Sequence, residues 1–161
     1  MLNDMKAVAE RLAAWLCARG MTGAEVLALQ GSSGGYSNIT LMGELRTAAQ
    51  AQAQGIVVRI QPEGAAVFSD CDVSTQYRTM ELMQGSGLPV PPLLGLEPDA
   101  GVLGAPFFIM GRLAGQVPNE NPLYHLEGWF HELAPAQLRQ HWLQNLRLLL
   151  SKALLLLSNR Q

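Results

Sequence analysis

Cysteine, histidine and charge are all scarce in this sequence, and each scarcity removes a class of chemistry. Its two cysteines, Cys17 and Cys71, stand too far apart for a disulfide framework or a zinc site built on CxxC-like pairs. Both read as small buried hydrophobes. The three histidines, His125, His131 and His141, share no HExxH-like spacing, so they read as surface or cap residues rather than metal ligands. Only 15% of the residues are charged, with a net charge of −2, and lysine and arginine are scattered. No basic stripe is available for a phosphate backbone, which argues against nucleic acid as a partner. Asp4, Lys6, Glu10 and Arg11 interrupt the apolar pattern of the first turns, so there is no signal-peptide core. No run of about 18 apolar residues could cross a membrane. The expectation is a cytoplasmic protein without a membrane partner.

What is abundant is aliphatic. Hydrophobic residues make up 48% of 161, the composition of a globular chain long enough for one domain or one large lobe. Met5, Val8, Leu12, Trp15 and Leu16 recur at three- and four-residue spacing over 4–18 and predict an amphipathic helix, with Gly20 as its C-cap. Three strand-like segments follow: EVLALQ (25–30), SNITLMGEL (37–45) and GIVVRI (55–60). The first two are joined by a glycine-rich turn and suit an antiparallel hairpin. A helix is predicted over 70–85, opened near Asp70 or Asp72 and closed by Gly85 and Gly87. The prolines of LPVPPLLGL impose an extended path. GAPFFIMGRL reads as a strand ended by Gly111, with Phe107 and Phe108 in the core, and GQVPNENP reads as a loop. A last helical stretch covers about 135–157. Short turns between neighbouring strands make this an α+β arrangement.

The glycine pair in GGYSNIT (34–40) permits either of two readings. Without a Cβ, backbone N–H groups can approach an anion closely, and the same residues equally build a tight hairpin turn. A glycine loop between the first two strands, a cation inside the third (Arg59 in VVRIQP), a helix after it and a strand running into a polar linker follow the order of a kinase nucleotide lobe.

The segments GGYSNIT, VVRIQP, DVSTQYRTMELMQGSGLPVPPLL, VLGAPFFIMGRLAGQV and GWFHELAP resemble the aminoglycoside phosphotransferases and choline-kinase-like phosphotransferases. The resemblance is strongest to the branch related to kinase-like domains fused to acyl-CoA dehydrogenases, and it runs from about residue 10 to 145. It implies a protein-kinase-like N-terminal lobe over 1–113, followed over 114–161 by a linker and the truncated start of a helical C-terminal lobe. It further implies that ATP is bound, with Gly34, Gly35, Ser37 and Asn38 over its phosphates and Arg59 holding the α- and β-phosphates. Gln76 stands where a glutamate would orient that cation, and Glu81 lies too far round the helix to replace it. Met110 to Leu113, with Arg112 among them, fall where the last strand becomes a hinge whose backbone would read the adenine edge.

Magnesium and the acceptor-activating aspartate come from the second lobe in that family, in a His-Gly-Asp type loop and a later aspartate motif. Neither motif is in this sequence, so the chain brings no catalytic residue and no metal ligand of its own. From Ala134 onward there is no aspartate or glutamate. Apolar residues between Trp142 and Leu157 go most of the way round a helix, which such a small lobe cannot cover. The cover would be the missing C-terminal lobe, another chain, or a second copy in a homo-oligomer. LLLLSNRQ departs from the family pattern and predicts an interrupted coding frame near residue 150. The expected function is the ATP-binding lobe of a small-molecule phosphotransferase, truncated and inactive alone. The alternatives are a non-catalytic kinase-like module that uses its leucine-rich helix as an interface, and an α+β domain that binds no nucleotide.

Overall fold

The structure, a computed structural model, describes residues 4–31, 38–50, 52–62, 72–86, 90–115, 122–123, 126–133, 135–137 and 139–140. They fall into two compact units, one of residues 1–82 with 90–113 and one of residues 83–89 with 114–161.

The first unit begins with α1 (Met5–Ala18). Asp4 starts it: its carboxylate accepts from the backbone N–H groups of Lys6 and Ala7, both at 3.1 Å, and so satisfies two donors that the first turn leaves without partners. Gly20 stops it. With φ at +92° it turns the chain so that Gly20 N–H bonds the Cys17 carbonyl and Met21 N–H bonds the Leu16 carbonyl. Between these caps Val8, Leu12, Trp15 and Leu16 form a buried stripe. Cys17, expected in the core, is exposed instead. It follows Leu16 in the helix and is turned off the stripe by the 100° per residue of the α-helix.

Five strands follow, β1 (Glu25–Gly31), β2 (Ile39–Arg46), β3 (Gln54–Ile60), β4 (Leu93–Glu97) and β5 (Phe107–Gly111), with α2 (Val73–Met83) between β3 and β4. They make one antiparallel sheet in the order β1-β2-β3-β5-β4. Strand alternation divides its residues between two faces. Leu41, Leu45, Ile56, Val58, Ile60, Phe107 and Ile109 share one face and are buried with the apolar stripe of α1. Each such fully buried side chain contributes about 1.5–3 kcal/mol relative to an exposed one. Trp15 and Phe107 meet there with ring centroids 5.0 Å apart. The opposite face carries Thr40, Met42, Val57, Arg59 and Met110, all half-buried, together with the buried Phe108. β5, an interior strand of the sheet, is therefore apolar on both faces, and this explains the unbroken run FFIM.

α2 opens at Asp72, whose carboxylate accepts from Ser74 N–H at 2.8 Å, Thr75 N–H at 3.2 Å and the Thr75 hydroxyl at 2.7 Å. These bonds, the Thr75 hydroxyl foremost, hold its carboxyl below the usual aspartate range. Val73 is the one fully buried residue of the helix.

In the second unit, Leu126 N–H bonds the Leu123 carbonyl, Glu132 N–H bonds the Gly128 carbonyl, and Trp129 meets Phe130 edge-on at 5.5 Å. Residues 135–137 and 139–140 are helical. The leucine-rich stretch 142–157 and most of GQVPNENP lie outside the described residues, as does Cys71.

Candidate functional site

The face of the sheet turned away from α1 holds the candidate site. Arg59 stands in β3 directly between Thr40 of β2 and Phe108 of β5. Cross-strand partners of this kind have Cβ atoms about 5 Å apart, so the Arg59 methylene stem lies beside the Phe108 ring. Its Nε is buried and has no hydrogen-bond partner. Among the described residues no carboxylate pairs with it; the ion pairs are Arg19 with Glu97 and Arg46 with Glu25. A buried N–H donor without an acceptor is rare and destabilising, so the position favours an anion brought by another molecule. Nε together with one Nη presents two parallel donors along one edge of the guanidinium, the geometry that takes two oxygens of a phosphate or carboxylate.

Gln76 is half-buried in the first half of α2, and its backbone N–H bonds the Asp72 carbonyl at 3.2 Å. The next residue, Tyr77, places its ring edge-on against Phe108 with centroids 5.9 Å apart. Burial, and secondarily the charge of Glu81, raise the Tyr77 hydroxyl above the usual tyrosine range. The aromatic pair is a feature that sequence reasoning missed. Phe108 was legible as core, but its neighbour depends on which strand β5 joins.

Asn38 lies one residue before β2 and is 5% exposed, the one buried polar side chain among the described residues. Met110 faces Val57 across one ladder and Leu93 across the other. Arg112 follows β5, donates its backbone N–H to the Gly55 carbonyl at 2.8 Å, and lays its side chain against Gly55. A Cβ at Gly55 would come within 2.7 Å of the Arg112 Nε, so the glycine leaves the room that the arginine uses. Gly111 N–H bonds the Pro92 carbonyl at 2.8 Å. The N–H groups of Gly111 and Arg112 are thus both taken up by carbonyls of the chain itself. Gly34, Gly35 and Ser37 lie outside the described residues.

Of the residues singled out from sequence, Arg59, Met110 and Arg112 share this face, in register through the β3–β5 ladder. Arg59 and Arg112 mark its two ends, about 13 Å apart along the strands. Among the described residues no three histidines, cysteines, aspartates or glutamates gather closely enough to hold a metal ion. None of the described helices is long and apolar enough to cross a membrane.

No family model matches the chain. Over 72 residues, 45% of its length, it is 31% identical to acyl-CoA dehydrogenase family member 10 of Mus musculus, and the match spans 7% of that protein. A crystal structure of an aminoglycoside phosphotransferase candidate from Ralstonia eutropha is similar over 67% of this chain and 28% of its own, with 28% identity and a TM-score of 0.49. The chain therefore spans less than a third of either relative.

Proposed function

We propose that the sheet and α2 form the nucleotide-binding lobe of a small-molecule phosphotransferase, with Arg59 holding the phosphates of ATP. The observation that carries this reading is the buried, partnerless Nε of Arg59 on the half-open face of the sheet. An orphaned donor on a fixed strand is a prepared contact for an anion, because its desolvation is already complete before the ligand arrives. The spacing of Arg59 and Arg112, with the apolar Val57 and Met110 between them, suits a ligand that has a flat apolar part and a charged end. The acyl-CoA dehydrogenase name of the mouse relative supports the reading, since the motifs around Arg59 resemble kinase-like domains fused to such dehydrogenases.

In the proposed reaction a substrate hydroxyl oxygen bonds to the γ-phosphorus as the bond to the β,γ-bridging oxygen breaks, and ADP leaves. The role of this chain would be to bind and orient the nucleotide. The acceptor, the base that takes its proton and magnesium with its ligands would be supplied by a second lobe or another chain. A second reading, a nucleotide-binding module without transfer, is favoured by the uncharged Gln76 and by the lack, among the described residues, of a carboxylate paired with Arg59.

Titration of the chain with ADP, followed by calorimetry, tests the shared part of both readings. Arg59→Ala is expected to weaken binding by about 1–3 kcal/mol, the range for loss of a charge-assisted hydrogen bond. Equal affinity for both proteins, or no binding by the folded parent, would remove the assignment. Phosphorylation of a hydroxyl acceptor in the presence of a complete second lobe separates the two readings.

A further inference from the structure

We infer that Tyr77 is a positioning residue for Arg59, coupling α2 to the anion site through Phe108 rather than through an ion pair. The inference rests on the proposed nucleotide reading and adds the element that holds its central cation in place.

A cation inside a strand needs something to fix its side chain, because a free arginine loses about 2 kcal/mol of rotamer entropy on being ordered. A carboxylate on the neighbouring helix would do this electrostatically. Here the residue before Tyr77 is Gln76, which has no charge, and no carboxylate pairs with Arg59 among the described residues. Packing offers the alternative. Phe108 is the direct cross-strand partner of Arg59 and is 1% exposed. Tyr77 meets that ring edge-on, the orientation in which the positive edge of one ring faces the negative face of the other. With its ring so held, Phe108 becomes a fixed wall for the Arg59 stem, and the burial of Nε is the result. Apart from Val73, no other residue of α2 is fully buried, so this aromatic contact is a principal tie between the helix and the site. Movement of α2 would then reach the guanidinium without any charge being made or broken.

The experiment is a double-mutant cycle read by ADP affinity on the full chain. Tyr77→Ala is expected to weaken ADP binding about three- to tenfold in the parent, the scale of one aromatic pair, and to have no further effect in Arg59→Ala. Tyr77→Phe keeps the ring and should bind within about twofold of the parent. Urea unfolding of each variant, with a cooperative transition as in the parent, reports that it is folded. If Tyr77→Ala does not fold, Tyr77→Leu keeps apolar volume without a ring edge and is expected to show the same loss. Equal losses from the tyrosine change with and without Arg59 would make Tyr77 an independent structural residue and overturn the inference. So would unchanged affinity in Tyr77→Ala, or in Tyr77→Leu where the alanine variant is unfolded, or a Tyr77→Phe variant as weak as the truncation. If Arg59→Ala itself binds like the parent, the nucleotide reading falls first and this inference falls with it.

Discussion

The indole Nε1–H of Trp15 donates to a carboxylate oxygen of Glu97 at 2.7 Å, tying the middle of α1 to the end of the edge strand β4. Arg19 completes the group. Its guanidinium lies 3.8 Å from the centroid of the Trp15 ring and 3.2 Å from the same Glu97 oxygen. The Glu97 side chain is 13% exposed and that of Arg19 38%, so the tryptophan hydrogen bond is the sheltered contact of the group and the ion pair is partly screened by solvent.

The tryptophan hydrogen bond above all, helped by Asp99 N–H and Arg19, holds the Glu97 carboxyl below the usual glutamate range. A depressed folded-state pKa stabilises the fold above the unfolded value and loses that stability as pH falls through the folded one. Thermal unfolding followed from neutral pH down to about pH 3 should therefore show the parent losing stability relative to Glu97→Gln below the ordinary glutamate range near pH 4.3. A stability difference between the two that stays flat across this interval would show that Glu97 does not carry the acid limb.

Gly95 sits at φ +155°, and a Cβ there would lie 2.8 Å from Trp15 Cη2. The ring cannot swing aside without breaking its bond to Glu97. Gly95→Ala combines a strained backbone with an overpacked contact and is expected to destabilise by about 2–4 kcal/mol. Urea unfolding measures it, and a change under about 1 kcal/mol would mean that α1 can shift along the sheet more freely than this packing allows.

Cys17 is exposed on α1, and its thiol donates a weak bond to the Ala24 carbonyl at 3.9 Å. A thiol reagent should modify it in the folded chain without a lag for unfolding, and Cys17→Ser should remove that fast phase. Should the serine variant keep the fast phase, the accessible thiol is another one. The substitution itself should change stability by no more than about 0.5 kcal/mol, as at other surface positions.

Much of the first unit was legible because its signals are local. The spacing of Val8, Leu12, Trp15 and Leu16 announces α1, and Gly20 and Asp72 act as caps where backbone freedom or side chain suits the role, while the Asp4 cap was not singled out. EVLALQ and GIVVRI each extend by one residue as strands, and FFIM is a strand of the length its apolar run suggests. Cys17 is exposed, against the expectation from its residue type, because its place on the helix lies off the stripe of Val8, Leu12, Trp15 and Leu16. The Tyr77–Phe108 contact and the Trp15–Glu97 bond were invisible for a different reason. Each joins elements far apart in sequence, and only the insertion of β5 between β3 and β4 brings them together. At the site, Arg59 could be singled out from its place inside an apolar strand. That its Nε would be buried without a partner could not, because its cross-strand partner Phe108 comes two strands later in the sequence.

That insertion also sets an order for synthesis on the ribosome. β3 leaves one edge open and β4 has no partner until Phe107–Gly111 has been made, because β5 is the strand that joins them. A nascent chain stopped in the nineties therefore carries a three-stranded meander with an exposed apolar edge, the kind of surface that chaperones bind and that pairs with other chains. Emergence of one short phenylalanine-rich segment closes that edge and gives β4 its neighbour in the same step, so the sheet is completed from its centre outward.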